Sequence, residues 1–187
     1  MSQTAALSQL APIEEPFSAE VEGIFSTYPK RDGYILQLFR VFGNSTRFLK
    51  KGTLNLLDRD SPLSMLQREI IILRVTARNN CEYEWGVHVT AFSQHVGLSE
   101  TQVRATYLGN HTDTCWNNEE SLLIQAVDEL CDHGKVTKTT YELFKSLFNV
   151  EQQLEVFALC GNYHTVSFVA NTAGLPGESF AATFPLS

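Results

Sequence analysis

Cys81, Glu84 and His88 fall within the stretch Cys81-Glu82-Tyr83-Glu84-Trp85-Gly86-Val87-His88. On a helix these positions, i, i+3 and i+7, share one face. A thiol, a carboxylate and an imidazole then point into the same small volume. Such groups donate and accept protons, attack electrophiles or hold a metal. A helix built only to pack carries Leu, Ile or Val there, so the constellation points to chemistry.

Each residue has a role and a plainer reading. Cys81 follows Asn79-Asn80 and is expected at a helix N-terminus, where free N–H groups and the helix dipole favour thiolate. The plainer reading is a small buried hydrophobe. Glu84 and His88 form an i,i+4 pair in which the carboxylate holds the imidazole in one tautomer and raises its pKa. The alternative is a solvated ion pair worth about 0.3–0.5 kcal/mol. Trp85, Val89 and Phe92 make the most apolar stripe of this segment, and Cys81, Glu84, His88, Ala91 and His95 the adjoining face. The polar pair is therefore expected at the edge of the core, where a pocket wall would stand.

Trp85, Arg68 and His164 are expected on the substrate's side of that pocket. Glu69 is a candidate proton-relay residue whose reach depends on how its helix packs. Arg68 and Arg74 suit an anionic substrate, although either alone reads as a surface residue. His164 sits in Asn162-Tyr163-His164-Thr165 inside an apolar helix and by itself reads as a satisfied core histidine. Glu84, His88 and His164 are metal-ligand types, but no third ligand stands at metal spacing on one helix. No metal and no cofactor are expected.

The elements that must position these groups all read as helices. Ser64-x-x-Gln67 opens a helix to about Asn79 with Leu66, Ile70, Leu73 and Ala77 along its apolar side. The Cys81 helix follows and stops at Gly97. Ser99-x-x-Gln102 starts a short helix, and residues 109–117 read as a loop. Asn118 to about Asp132 is helical with Gly134 past its end, a helix near Lys138–Leu147 follows, and Asn149-x-x-Gln152 caps a long helix to about Ala173. Upstream, helical periodicity runs from Pro16 to Tyr28, and again over roughly Tyr34–Phe42 and Thr46–Leu57. No segment sustains a two-residue alternation, so the expected fold is all-α. The expected division is an N-terminal arm over 1–15, a single domain over 16–177 and a tail over 178–187.

Composition narrows the partners. The chain has 187 residues, 43% hydrophobic and 19% charged, with net charge −7, as expected of one globular domain. Its longest Lys/Arg run is Lys50-Lys51, which argues against nucleic acid and anionic membranes. Ile70-Ile71-Ile72-Leu73 is the longest aliphatic run, too short to span a bilayer. A cytoplasmic location is expected, because the start of the chain shows no secretory pattern. Cysteines 81, 115, 131 and 160 make no CxxC pair and are expected as free thiols.

The pattern Arg68-Glu69, an aliphatic run, then Asn80-Cys81-x-Tyr83-Glu84-Trp85-x-x-His88 resembles the core of the carboxymuconolactone decarboxylase and alkylhydroperoxidase D superfamily. The resemblance covers most of 16–177 and is specific over 63–100. Gly97-Leu98-Ser99, Asn171 and Gly174-Leu175-Pro176 resemble the longer members. It implies an alkylhydroperoxidase D-like all-α fold with a core antiparallel helical hairpin, and homo-oligomers.

Two chemistries are implied. The peroxidase members carry Glu-x11-Cys-x2-Cys-x3-His, which Glu69, Cys81 and His88 match, but the second cysteine is Glu84 here. The decarboxylase members carry Glu-x3-His, which Glu84 and His88 reproduce. One reading is thus an acid–base enzyme for a small carboxylate or lactone, with catalytic Glu84 and His88. A second is a thiol peroxidase through Cys81 assisted by His88, Glu84 and Glu69, needing an external thiol as reductant or a distant cysteine. A third is a non-catalytic ligand-binding oligomer.

Overall fold

The computed structural model describes residues 10–186. Among these residues the chain forms nine helices: α1 Ala19–Phe25, α2 Gln37–Phe42, α3 Thr46–Lys51, α4 Met65–Arg78, α5 Glu82–Val96, α6 Glu100–Leu108, α7 Asn118–His133, α8 Lys138–Leu147 and α9 Val150–Ala173. The only β feature there is an isolated bridge between Arg31 and Tyr34. The all-α expectation holds. Of the expected N-terminal arm, residues 1–9 lie outside the described residues.

The helix starts follow from local chemistry. Complete capping boxes open α4 (Ser64/Gln67), α6 (Ser99/Gln102), α7 (Asn117/Glu120) and α9 (Asn149/Gln152). Each satisfies two backbone N–H groups that a helix leaves free. Gly97, Gly134 and Gly174 end α5, α7 and α9 in the left-handed conformation, where a Cβ would clash.

Helix α3 stops at Lys51, six residues short of the periodic pattern that continues to Leu57. Past Gly52 the N–H and C=O of Leu54 pair with the Asn162 side-chain amide at 2.9 and 3.2 Å instead of with helix partners. Beyond Gly52, Leu54 and Leu57 are exposed, and Leu56 packs half-buried against the core.

Helix α4 is the centre of the molecule. It packs against α5, α6, α7 and α9, and Ile70, Ile71, Ile72, Leu73 and Val75 are fully buried. Each such side chain contributes about 1.5–3 kcal/mol of burial. Buried on four sides, this helix also carries its charged residues inside. Arg74 forks onto Asp128 at 2.6 and 2.8 Å and donates to the carbonyls of Thr106 and Gly109. The sequence suggested a surface or substrate-binding arginine; the structure uses it to tie α4 to α6 and α7.

The turn from α4 to α5 is tight. Asn80 takes φ 51°, a left-handed conformation asparagine tolerates better than most residues. The Cys81 N–H then returns to Thr76 O at 2.9 Å. Helix α5 therefore folds back along α4 as the expected hairpin.

The expected tail is an ordered strap across the outer face of α5. Glu178 is buried and accepts from Tyr83 Oη (2.5 Å) and the Gln37 N–H (2.8 Å). Ala182 N–H donates to Gly86 O at 3.2 Å, and Phe184 stacks on Tyr107 with ring centroids 3.9 Å apart. A Cβ at residue 86 would lie 1.9 Å from Ala182 O, so only glycine admits the strap there. Among the described residues no helix is long and apolar enough to cross a membrane.

Candidate active site

His88 stands at the meeting of α4, α5 and α9. Its Nδ1 lies 2.9 Å from Glu69 Oε2 on α4. Its Nε2 faces two oxygens, Tyr163 Oη on α9 at 3.2 Å and Glu84 Oε1, one turn earlier on α5, at 3.4 Å. The Tyr163 ring meets the imidazole edge-on at 5.3 Å, and Phe92 packs at 5.2 Å. Glu69, Glu84 and His88 are 4%, 8% and 4% exposed, so the group is closed off from solvent and its charges are poorly screened.

That arrangement decides the charge on His88. Burial alone pulls an imidazole toward the neutral form. The charge and hydrogen bond of Glu69, followed by those of Glu84, outweigh it and push His88 up to about 10. At neutral pH His88 is an imidazolium with each N–H facing a carboxylate. Tyr163 is held well above its ordinary value, by burial first and then by Glu84 and Glu69. It stays a phenol. Glu84 Oε2 is buried without a hydrogen-bond partner, which leaves one carboxylate oxygen of the cluster free to meet another donor.

Cys81 borders the cluster as the N-cap residue of α5. The expected depression of its pKa does not occur. Burial is the largest influence and pushes the thiol up to about 11, with the Glu84 charge adding to it. The Glu84 backbone N–H and Ser167 pull the other way and are outweighed. Ser167 Oγ makes no hydrogen bond of ordinary geometry. With the residue fully buried, desolvation of a thiolate exceeds what the helix N-terminus returns.

Three residues expected on the substrate's side are placed differently. Trp85, one residue and about 100° around the helix from Glu84, turns toward α6. Its indole N–H donates to Thr106 Oγ1 at 2.9 Å, and its ring packs on Phe184. The Arg68 guanidinium is buried and bonds the carbonyls of Leu56 and Asp58 at 3.2 and 2.9 Å. It clamps the α3–α4 connection, although its charge still reaches Tyr163. His164 lies on another face of α9, with Nε2 3.4 Å from Cys131 Sγ. The α9 residue that reaches His88 is its neighbour Tyr163. The sequence signal was the polar run 162–165, and helix phase selects the tyrosine.

Two surface cavities, each about 640 Å3, are lined by residues other than Cys81, Glu84 and His88. One is walled by α5, α6 and Pro185, the other by residues 31–37 and 177–180. Of the residues expected to share a pocket, Glu84 and His88 meet in a closed polar cluster with Cys81 at its border. Among the described residues no group of three His, Cys, Asp or Glu side chains converges as metal ligands, and the four cysteines are free.

Residues 47–128, which span α3 to the middle of α7, match the carboxymuconolactone decarboxylase family. No curated protein matches significantly. A solved structure of an uncharacterized peroxidase-related protein from Silicibacter sp. TM1040 is similar over 99% of this chain and 100% of that one, with TM-score 0.78 and 17% identity. A protein of unknown function from Agrobacterium tumefaciens, described as a candidate antioxidant defence protein AhpD, is similar over 63% of this chain and 80% of its own, with TM-score 0.58 and 19% identity. The debrominase Bmp8 is similar over 91% and 92%, with TM-score 0.75 and 12% identity. A cysteine-to-alanine variant of Bmp8 in complex with 2,3,4-tribromopyrrole matches at TM-score 0.75. At these identities the likeness is one of fold.

Proposed function

We propose that this chain, whose residues 47–128 match the carboxymuconolactone decarboxylase family, is an acid–base enzyme acting on a small carboxylate or lactone. The observation that carries this reading is His88 held as an imidazolium between Glu69 and Glu84. An imidazolium anchored at Nδ1 by Glu69, with Nε2 facing Glu84 Oε1 and Tyr163 Oη, is a positioned proton donor.

In a decarboxylation the substrate's C–C bond to its carboxylate breaks. CO2 leaves, and the electron pair stays on carbon as an enolate. His88 Nε2–H transfers its proton to that carbon, and water later restores it. Glu69 stabilises the charge through Nδ1–H, and Glu84 and Tyr163 orient the Nε2 side. Such positioned acid–base groups contribute about 10²–10⁴ in rate. The test is turnover of small β-keto and lactone carboxylates, followed by CO2 release, in wild type, His88→Gln and Cys81→Ser. Loss in His88→Gln with survival in Cys81→Ser supports the reading. Loss in Cys81→Ser with full CO2 release in His88→Gln sinks it.

A second reading is thiol chemistry through Cys81, as a peroxidase with an external thiol as reductant. It is favoured by the place of Cys81 at the N-terminus of α5 beside Glu84, and by similarity to peroxidase-related proteins and to a debrominase studied as a cysteine variant. The raised thiol pKa weighs against it. Peroxide treatment with mass spectrometry of Cys81, beside Cys81→Ser, decides: a stable thiol at millimolar peroxide removes this reading.

We also propose that the chain assembles with copies of itself. Leu143 and Leu147 on α8, and Val150 and Leu154 on α9, are large apolar side chains left exposed one turn apart in each helix, the kind of surface that subunit contacts cover. Sedimentation showing a monomer at micromolar concentration would count against this.

A further inference from the structure

The cavity between α5, α6 and the C-terminal strap is separate from the His88 cluster and shares only the wall of α5 with it. Its volume of about 640 Å3 lies within the range of small-molecule sites. Val89, Leu98, Val103 and Pro185 give it apolar wall, and Thr90 and Gln94 add polar wall beside them. Ser93 also lines it, and this side chain differs from the rest. It is 7% exposed, and its hydroxyl has no hydrogen-bond partner. Buried hydroxyls are ordinarily paired, and one left alone is a standing cost to the fold. The Ser93 Oγ is closed off in this structure, and a turn about χ1 toward the cavity would let a ligand oxygen supply the missing bond.

The rim limits the ligand's charge. Glu100 and Arg104, one turn apart on α6, both border the opening and offset each other. Arg104 already donates to Leu186 O at 2.7 Å. We infer that this cavity binds a small, neutral molecule carrying a hydroxyl or carbonyl oxygen, with that oxygen on Ser93 and its apolar part against Val103 and Pro185. This site does not depend on the reaction assigned to His88.

The probe is p-cresol, with toluene as the analogue lacking the oxygen. The readout is the Trp85 indole N–H in proton–nitrogen correlation spectra, since Trp85 lines the cavity. Trp116, the second tryptophan of the chain, is the internal control. The expected result is a saturable shift of the Trp85 signal with p-cresol. Ser93→Ala should weaken p-cresol about fivefold to tenfold, as loss of one hydrogen bond does, and leave toluene unchanged. Val103→Phe, which fills the space from α6, should abolish the shift while its thermal melt shows a folded protein.

No saturable shift up to about 10 mM p-cresol overturns the proposal. So does equal p-cresol binding by wild type, Ser93→Ala and Val103→Phe. If p-toluate binds more tightly than p-cresol and loses that advantage in Arg104→Gln, the neutral-ligand assignment falls.

Discussion

Glu69 and His88, nineteen residues apart, meet at 2.9 Å across the α4–α5 hairpin. This contact makes the imidazole a charged, oriented group inside a helical core. Glu84 alone, as an i,i+4 neighbour at 3.4 Å, is the weaker of the two partners. The hairpin therefore does more than build a core, because its register loads the proton carrier.

Glu69→Gln should show this first in the pH dependence of stability. The folded-state pKa of His88 is raised from 6.5 to about 10. Protonation of His88 therefore stabilises the fold fully below pH about 6.5, and that contribution disappears as pH rises through about 10. In Glu69→Gln the largest raising influence is gone, so His88 should titrate at lower pH and the alkaline decline should begin earlier. Imidazole proton chemical shifts against pH, with denaturant midpoints at pH 6, 8 and 10, measure it. An unchanged titration would mean that Glu69 does not set the charge of His88.

Glu84→Gln keeps shape and removes a negative charge beside Cys81. The thiol pKa, pushed up to about 11, should fall but remain above the ordinary cysteine range, because burial is its largest cause and is untouched. The pH dependence of Cys81 alkylation in wild type and mutant measures it. In the acid–base reading the same change should slow turnover about 10²–10⁴-fold.

Tyr163→Phe removes the hydroxyl 3.2 Å from His88 Nε2 and keeps the edge-on ring contact. Stability should change by about 0.5–1.5 kcal/mol, the net value of one hydrogen bond. Turnover should fall about tenfold or more if the phenol orients the Nε2 side during proton transfer. A large loss of stability with normal turnover would make Tyr163 a packing residue only.

Gly86→Ala places a Cβ where Ala182 O now sits, 1.9 Å away. The strap must lift, and overpacking of this kind costs about 1–3 kcal/mol. Limited proteolysis should cut the mutant within residues 178–187 faster than wild type. Equal cleavage rates would show that the strap accommodates the methyl group.

The sequence by itself determined what is local. Capping boxes, left-handed glycine stops and the 3.6-residue period place α4 to α9 within one or two residues, because these signals act over a single turn. They also put Cys81, Glu84 and His88 on one helix. The family resemblance was legible for the same reason: its motif is carried by the two neighbouring helices α4 and α5. What the tertiary structure alone decided is non-local. Whether Glu69 reaches His88 depended on hairpin register, and that Tyr163 faces the site while His164 turns to Cys131 depended on the phase of α9 against α5. The charge states followed from burial and from the charges buried alongside, which no spacing rule contains. Cys81 has a helix N-terminus in its favour and is still a thiol, because desolvation outweighs the dipole. The strap escaped the sequence because its contacts are made to Gly86, Tyr83 and Tyr107 far upstream, and only folding brings them together.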